Sequence, residues 1–254
     1  MFELPLLNTV ILLSSGIICL KWKKIFYKLG LVMFKLPTLP FSSPKIASTN
    51  RIGPHNYEIL CILIGSLLGD GSMERDGNGS RFVFYQKGEH IEYVLWLHQQ
   101  LLKHGYCKEN IPQIQSRIIN DKLVYYCRFR SFTYSSFNWI HEGFFSNNKK
   151  VIPNWIRDYL SPIALAIWIM DDGVWVKNRG IRLSTNCFSL SDVKKLVNIL
   201  ETKYLLKLAI HSAGALNQYN IYIPKSNLPI LIPLISPYIH PYFLYKLGMV
   251  KPKI

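Results

Sequence analysis

Acidic residues are scarce in this chain. Only 15 Asp and Glu stand against 30 Lys and Arg in 254 residues, a formal net charge of +15. Such an excess favours a polyanionic partner, either nucleic acid or an anionic membrane surface. It is not confined to one tail. Residues 1–50 carry six Lys and one Glu, so a basic face is expected on the rest. Paired cysteines are missing too. Cys19, Cys61, Cys107, Cys127 and Cys187 are scattered, odd in number and without a C-x-x-C pair. That argues against a disulfide framework or a zinc ribbon and for buried, reduced thiols. Long apolar runs are absent after residue 20. Leu228–Pro241 is apolar, but Pro229, Pro233, Pro237 and Pro241 break it. An inner-membrane protein would need a longer span.

The first fifty residues differ from the rest. Leu4 to Leu20 is mostly apolar and is followed by Lys21, Lys23 and Lys24. Its length is at the lower limit for a membrane span. The basic residues follow the apolar run, the wrong order for a secretory signal. The stretch from Phe2 to Gly16, FELPLLNTVILLSSG, resembles a transmembrane segment of cytochrome c oxidase subunit III. That resemblance implies a reading frame that starts in an exon of a mitochondrial respiratory gene and runs into an intron. The apolar run is then a relic of the host protein. Residues 21–50, with Pro37, Pro40 and Pro44 among serines, read as a linker. The alternative is a true membrane anchor. No stable membrane insertion of the mature part is expected, and the expected location is the mitochondrion.

From residue 55 onward one plan is written twice. Tyr57 to Gly71 and Pro162 to Gly173 are apolar runs of helical length, each ending in Asp-Gly. Ser161 reads as an N-cap with Pro162 in the first turn. Gly71 and Gly173 are expected as left-handed residues closing the helices. Hairpins follow, with Glu74–Ser80 as the first turn before Arg81–Tyr85, and Lys177–Gly180 as the second before Ile181–Thr185. Helices are expected over Glu89–Lys103 and Ser191–Leu205, the latter capped by Ser191. Strand pairs then cover Gln113–Ile119 with Leu123–Arg130, and Leu208–Ser212 with Tyr219–Ile223. The copies lie about 100 residues apart, too long a period for a solenoid. The fold class is therefore α+β, with two pseudo-symmetric αββαββα halves around a central two-helix interface. The expected divisions are 1–50, a first half at 51–143, and a second half at 144–254 that includes the bridging segment.

Gly65 and Gly69 share one helical face, so another helix backbone can approach closely there. Two parallel helices packed this way would bring Asp70 and Asp172 together at their C-terminal ends. Adjacent carboxylates repel unless a cation sits between them. Mg²⁺ suits such a site, since it takes oxygen ligands and needs only one or two protein carboxylates. A single Asp-Gly is an ordinary turn. Two of them, each ending a matched apolar helix, point to a metal site.

Residues 63–71, LIGSLLGDG, and 165–173, LAIWIMDDG, resemble the nine-residue signature of the LAGLIDADG homing endonucleases. The resemblance covers about residues 55–248. It includes Asn147 to Pro153 (NNKKVIP), Tyr159 to Pro162 (YLSP) and Tyr245-Lys246-Leu247. It is to the single-chain, two-motif branch, which implies a monomer. It implies a saddle of two antiparallel sheets laid over double-stranded DNA, one active site per half, and a staggered double-strand cut across the minor groove. Asp70 and Asp172 map onto the metal-binding acids, sharing two or three divalent ions that activate water and stabilise the leaving 3′-oxygen. The family also places a lysine near each site. Lys246 fits in the second half, although a lone helix lysine is ordinarily just solvated. In the first half the matching position falls on Thr133, a departure, with Arg128, Arg130 or Lys87 as replacements, or with unequal sites. Asp171 reads as a helix-end or packing residue whose carbonyl could reach a metal.

Strand alternation supplies the DNA-facing candidates. Arg81, Tyr85 and Lys87 share a face, as do Gln113, Gln115 and Arg117, then Arg128 and Arg130, then Arg182, Ser184 and Asn186. Arg, Gln and Asn can read base edges, and β-ribbons can enter the major groove. Polar alternation alone would mark only a solvated sheet face. Phe82, Phe84, Leu123, Ile181 and Leu183 lie opposite and are expected to pack on helices. The lead reading is a site-specific DNA endonuclease serving intron mobility. The runner-up is an RNA maturase that binds its own intron. Dispersed histidines argue against an HNH or zinc nuclease.

Overall fold

A computed structural model describes residues 46–147 and 149–249, all within one unit, Phe41–Ile254. The oxidase-like run and most of the linker expected over 1–50 lie outside the described residues. The first half contains α1 (Tyr57–Leu68), β1 (Ser72–Asp76), β2 (Gly79–Lys87), α2 (Ile91–Lys103), β3 (Ile114–Ile119), β4 (Lys122–Arg130) and α3 (Asn138–Phe144). A short pairing of β5 (Phe145–Ser146) with β6 (Lys149–Lys150) and the one-turn α4 (Ile156–Tyr159) lead onward. The second half contains α5 (Pro162–Asp172), β7 (Gly173–Val176), β8 (Gly180–Ser184), α6 (Leu190–Tyr204), β9 (Ala209–Ser212), β10 (Tyr219–Pro224) and α7 (Leu228–Ile235). A 3-10 helix, Pro241–Leu247, follows.

Both sheets are antiparallel with the same strand order, β1-β2-β4-β3 and β7-β8-β10-β9. The α+β, two-half reading therefore holds. Turn chemistry sets the hairpins. Gly77 is left-handed between β1 and β2, and Asn120 and Asp121 are both left-handed between β3 and β4, the conformation of a two-residue hairpin loop. Capping sets the helix starts. The Asn56 side chain accepts from the Ile59 amide at 3.1 Å and the Ser161 hydroxyl from the Ala164 amide at 3.4 Å.

Helices α1 and α5 are central. Ile59 to Leu68 and Ala164 to Met170 are buried on every side, so each needs protein around its whole circumference. Phe82, Phe84, Cys127 and Phe129 of the first sheet join Tyr93, Val94, Leu97 and Leu101 of α2 in the core. Ile181, Leu183, Ile221 and Ile223 do the same with Val193, Leu196 and Leu200 of α6. Truncating one such Leu or Ile to Ala would cost about 2–5 kcal/mol.

Several expected boundaries move. Glu74 to Asp76 belong to β1, not to the turn, because the two-residue loop lets the ladder run on. Helix α6 is capped by Ser189, whose hydroxyl accepts from Asp192, not by Ser191. Neither Gly71 nor Gly173 is left-handed; Gly173 is extended and starts β7. Gln113 precedes β3, and its side-chain Nε2 donates to the Ile111 carbonyl. Asn186 lies in a turn because β8 ends at Ser184, so the shared face stops short of it. Leu123 lies on the expected face but is 57% exposed, since the β3–β4 hairpin projects past the helices.

Candidate active site

The two central helices touch through glycine. A Cβ on Gly65 would stand 2.5 Å from the Ala164 carbonyl oxygen, and one on Gly69 would stand 2.4 Å from the Asp171 Cβ. Both distances are too short for any side chain: at Gly65 the two backbones meet, and at Gly69 the backbone of α1 meets the Asp171 side chain. Moving along α1 moves the contact along α5 in the same direction. The helices are thus parallel, and their C-terminal ends converge.

Asp70 lies just past α1 and is exposed, and Asp172 is the last residue of α5. The two carboxyls feel each other. Burial, then the Asp70 charge, pushes the Asp172 carboxyl up to about 7, against the pull of Lys150 and Lys246. Asp171 is pushed well above the ordinary carboxylate range, first by burial and then by Asp70. Gln86, from the helix-facing side of β2, donates its Nε2 to Asp70 Oδ2. Asp171 Oδ2 accepts from the Asp70 amide at 3.3 Å, and its Oδ1 accepts from the Tyr93 hydroxyl at 2.8 Å.

Two lysines cap the two helices. Lys246 donates from Nζ to the Met170 carbonyl and to the Asp171 carbonyl, the latter at 3.0 Å. Lys150 donates to the Gly69 and Gly71 carbonyls at 2.9 and 3.3 Å. Cations are favoured at helix C-termini, where carbonyls lack partners. Burial lowers both lysine pKa values, and the nearby aspartates raise them. The ammonium beside the end of α1 thus comes from Lys150 of the bridging segment and not from the Thr133 position. Thr133 instead donates its hydroxyl to Asp76 at 2.6 Å, and Arg130 is engaged with Glu74 at 3.2 Å. The Asp171 carbonyl accepts from Lys246.

Most of the remaining candidates line three hollows. A groove of about 980 Å³ on the outer face of the first sheet is lined by Arg81, Tyr85, Gln115, Arg117, Arg128 and Arg130. Arg117 donates to the Tyr85 hydroxyl at 3.2 Å and lies 5.4 Å from the Tyr126 ring centroid. Arg81 is tied down by Glu74 and Asp76, each at 3.0 Å. Lys87 opens onto a hollow of about 1260 Å³ beside Asp70 and Gln86. Ser184 lines one of about 560 Å³ with Asp171, Asp172 and Lys246. Arg182 is exposed on the outer face of the second sheet, paired across to Tyr222 and Val174.

Lys150 and Gln86 escaped the sequence reading. Lys150 sat inside the family-like NNKKVIP stretch, which was the available signal, but its target carbonyls lie far away in sequence. Gln86 falls on the side of β2 that alternation assigns to the core.

Among the described residues no group of three or more His, Cys, Asp or Glu side chains is arranged to hold a metal ion. Two carboxylates still suit Mg²⁺, which keeps several waters. Burial first, and the Asp70 charge second, raise the Asp172 carboxyl, and a divalent cation between the two acids would offset both.

Residues 60–231 match the model of the LAGLIDADG DNA endonuclease family. The chain is 47% identical over 198 residues to cytochrome b mRNA maturase bI2 of Debaryomyces hansenii, covering 77% of this chain and 75% of that protein. It is 44% identical over 209 residues to the protein of that name from Saccharomyces cerevisiae, covering 78% of this chain and 49% of that one. It thus spans about half the length of the latter. Intron-encoded endonuclease ai4 of Dictyostelium discoideum is 41% identical over 152 residues, covering 58% of this chain and 95% of that protein. Among solved structures, the homing endonuclease I-WcaI bound to its DNA recognition sequence superposes with a TM-score of 0.67 at 26% identity, covering 79% of this chain and 90% of that one.

Proposed function

The chain belongs to the LAGLIDADG DNA endonuclease family, and from that premise we propose that it is a site-specific homing endonuclease of an intron, making a divalent-metal-dependent staggered double-strand cut. One observation carries this reading: Asp70 and Asp172 converge at the ends of two packed helices that lie between matched four-stranded sheets. Both acids come from one chain, so a monomer suffices. The expected location is the mitochondrion.

Asp70 and Asp172 would hold the ions. Divalent cations there supply activation of the attacking water and charge stabilisation at the leaving 3′-oxygen. The protein does the positioning. Gln86 fixes the Asp70 carboxylate. Lys150 and Lys246 bring positive charge beside the acids, where it offsets negative charge gathering on the scissile phosphates. The outer faces of the sheets carry Arg81, Tyr85, Gln115, Arg117, Arg128, Arg130 and Arg182 toward DNA, most for phosphates and some for base edges. Lys87 and Ser184 serve next to the acids.

The test is cleavage of DNA carrying the joined exon junction, first that of an oxidase subunit III gene, by the full chain with Mg²⁺ or with EDTA. Cutting that needs Mg²⁺ and vanishes in Asp70→Asn and Asp172→Asn is expected. A folded wild type that cuts no intronless junction in Mg²⁺ defeats the proposal.

The names of two relatives at 47% and 44% identity favour a second reading, an RNA maturase for its own intron. Intact acids are compatible with both roles. Tight binding of the intron RNA, with splicing stimulated in the absence of cleavage, would promote it.

A further inference from the structure

We propose that Asp171 is a positioning residue that reaches from the second half across the helix interface and holds Asp70 through its main-chain amide. The proposal rests on the nuclease reading and goes beyond it, because Asp171 itself contributes no ligand. The two helices end differently. Helix α5 runs through Asp172, whereas α1 stops at Leu68, two residues before Asp70. After that early stop the Gly69 and Gly71 amides both turn back to the Ser66 carbonyl, at 3.0 and 2.7 Å. The Asp70 amide points instead at Asp171 Oδ2, 3.3 Å away.

Three features make this contact specific. Gly69 stands where any side chain would collide with Asp171, with a Cβ only 2.4 Å from the Asp171 Cβ and 2.8 Å from its Oδ2. The room that Gly69 vacates is the room Asp171 uses. The other carboxylate oxygen is held at 2.8 Å by the hydroxyl of Tyr93, a buried residue of α2 in the first half. The relation is also one-sided. The position equivalent to Asp171 in the first signature is Gly69, so nothing returns the favour to Asp172. Asp171 thus holds the main-chain amide of Asp70, a contact that Gly69, lacking a side chain, cannot make to Asp172.

The experiment measures each DNA strand separately, together with the ¹⁵N–¹H signal of the Asp70 amide in the full chain. Asp171→Ala is expected to slow, by about tenfold, the strand that Asp70→Asn slows more, as loss of an outer-shell partner does. The other strand should change less than about threefold, and Asp171→Asn, which keeps an acceptor oxygen, should remain within about threefold on both. The Asp70 amide should shift in Asp171→Ala and lose exchange protection. Equal slowing of both strands, or an unmoved Asp70 amide in a folded variant, overturns the proposal. If Asp171→Ala does not fold, Tyr93→Phe decides: a smaller shift of the same amide and the same strand bias support it, and no change in either refutes it. A wild type that cuts no DNA sinks the nuclease reading, while the amide signal still reports on the contact.

Discussion

Asp70 stands exposed past the end of α1, with Gln86 on its carboxylate and Asp171 on its amide. Asp172 ends α5 half-buried, its carboxyl raised to about 7. The counterpart of Gln86 in the second sheet, three residues past the partner of Val174 as Gln86 is three past that of Ser72, is Thr185. Thr185 is buried and donates to the Tyr219 carbonyl at 2.6 Å. The same signature thus produces one acid held from the side in water and another held by burial. The lysines are more alike: Lys246 donates to the last-turn carbonyls of α5, and Lys150 to carbonyls just past the end of α1. A repeated fold keeps the shared charge arrangement and lets the side-chain supports diverge.

The largest effect should come from the acids themselves. Asp70→Asn and Asp172→Asn are each expected to lower cleavage roughly a thousandfold, the scale of losing a group that stabilises the transition state. They should differ in the metal-free protein. Asp70→Asn removes a charge that raises Asp172, so Asp172 should titrate below about 7, as read by carboxyl NMR. An unmoved Asp172 would mean that the acids are not adjacent.

Next come the lysines. Lys150→Met and Lys246→Met should each slow cleavage by about 10–100-fold, in line with other supporting groups around metal ligands. Wild-type rates in Lys150→Met would remove the equivalence of the two halves.

The pH dependence is smaller and tests the second acid. Below about 7 a proton competes with the cation at Asp172, so apparent Mg²⁺ affinity should fall about tenfold per pH unit, measured by calorimetry. The stability of the metal-free protein runs the opposite way. The folded carboxyl binds its proton more tightly than the unfolded one, so stability is full at low pH and is lost as pH rises from about 4 to about 7. Asp172→Asn should flatten both curves.

The smallest effect concerns the outer face. Arg117→Ala should weaken DNA binding by about 1 kcal/mol, roughly fivefold, and reduce its salt dependence. Arg81→Ala should do less, because Glu74 and Asp76 already occupy that guanidinium.

Much of this was legible in the chain itself. The central helices announced themselves as apolar runs ending in Asp-Gly, and the spacing of Gly65 and Gly69 foretold their close approach. Alternation in β2, β4 and β8 sorted most outward residues from inward ones. It failed at Asn186 and Gln113, beyond the strand ends, because boundaries depend on ladder hydrogen bonds that a pattern does not contain. It also failed at Leu123, since a residue on the inward face is buried only if a helix lies over it.

The sequence by itself determined the two-half plan, the paired acids and the basic outer faces, because periodicity and charge are local properties. Only the tertiary structure decided where α1 stops, that Lys150 and not Thr133 reaches the carbonyls at its end, and that Asp171 leans across to Asp70. Those outcomes depend on which carbonyls and amides lose their helix partners, and on which distant side chain stands within about 3 Å to replace them.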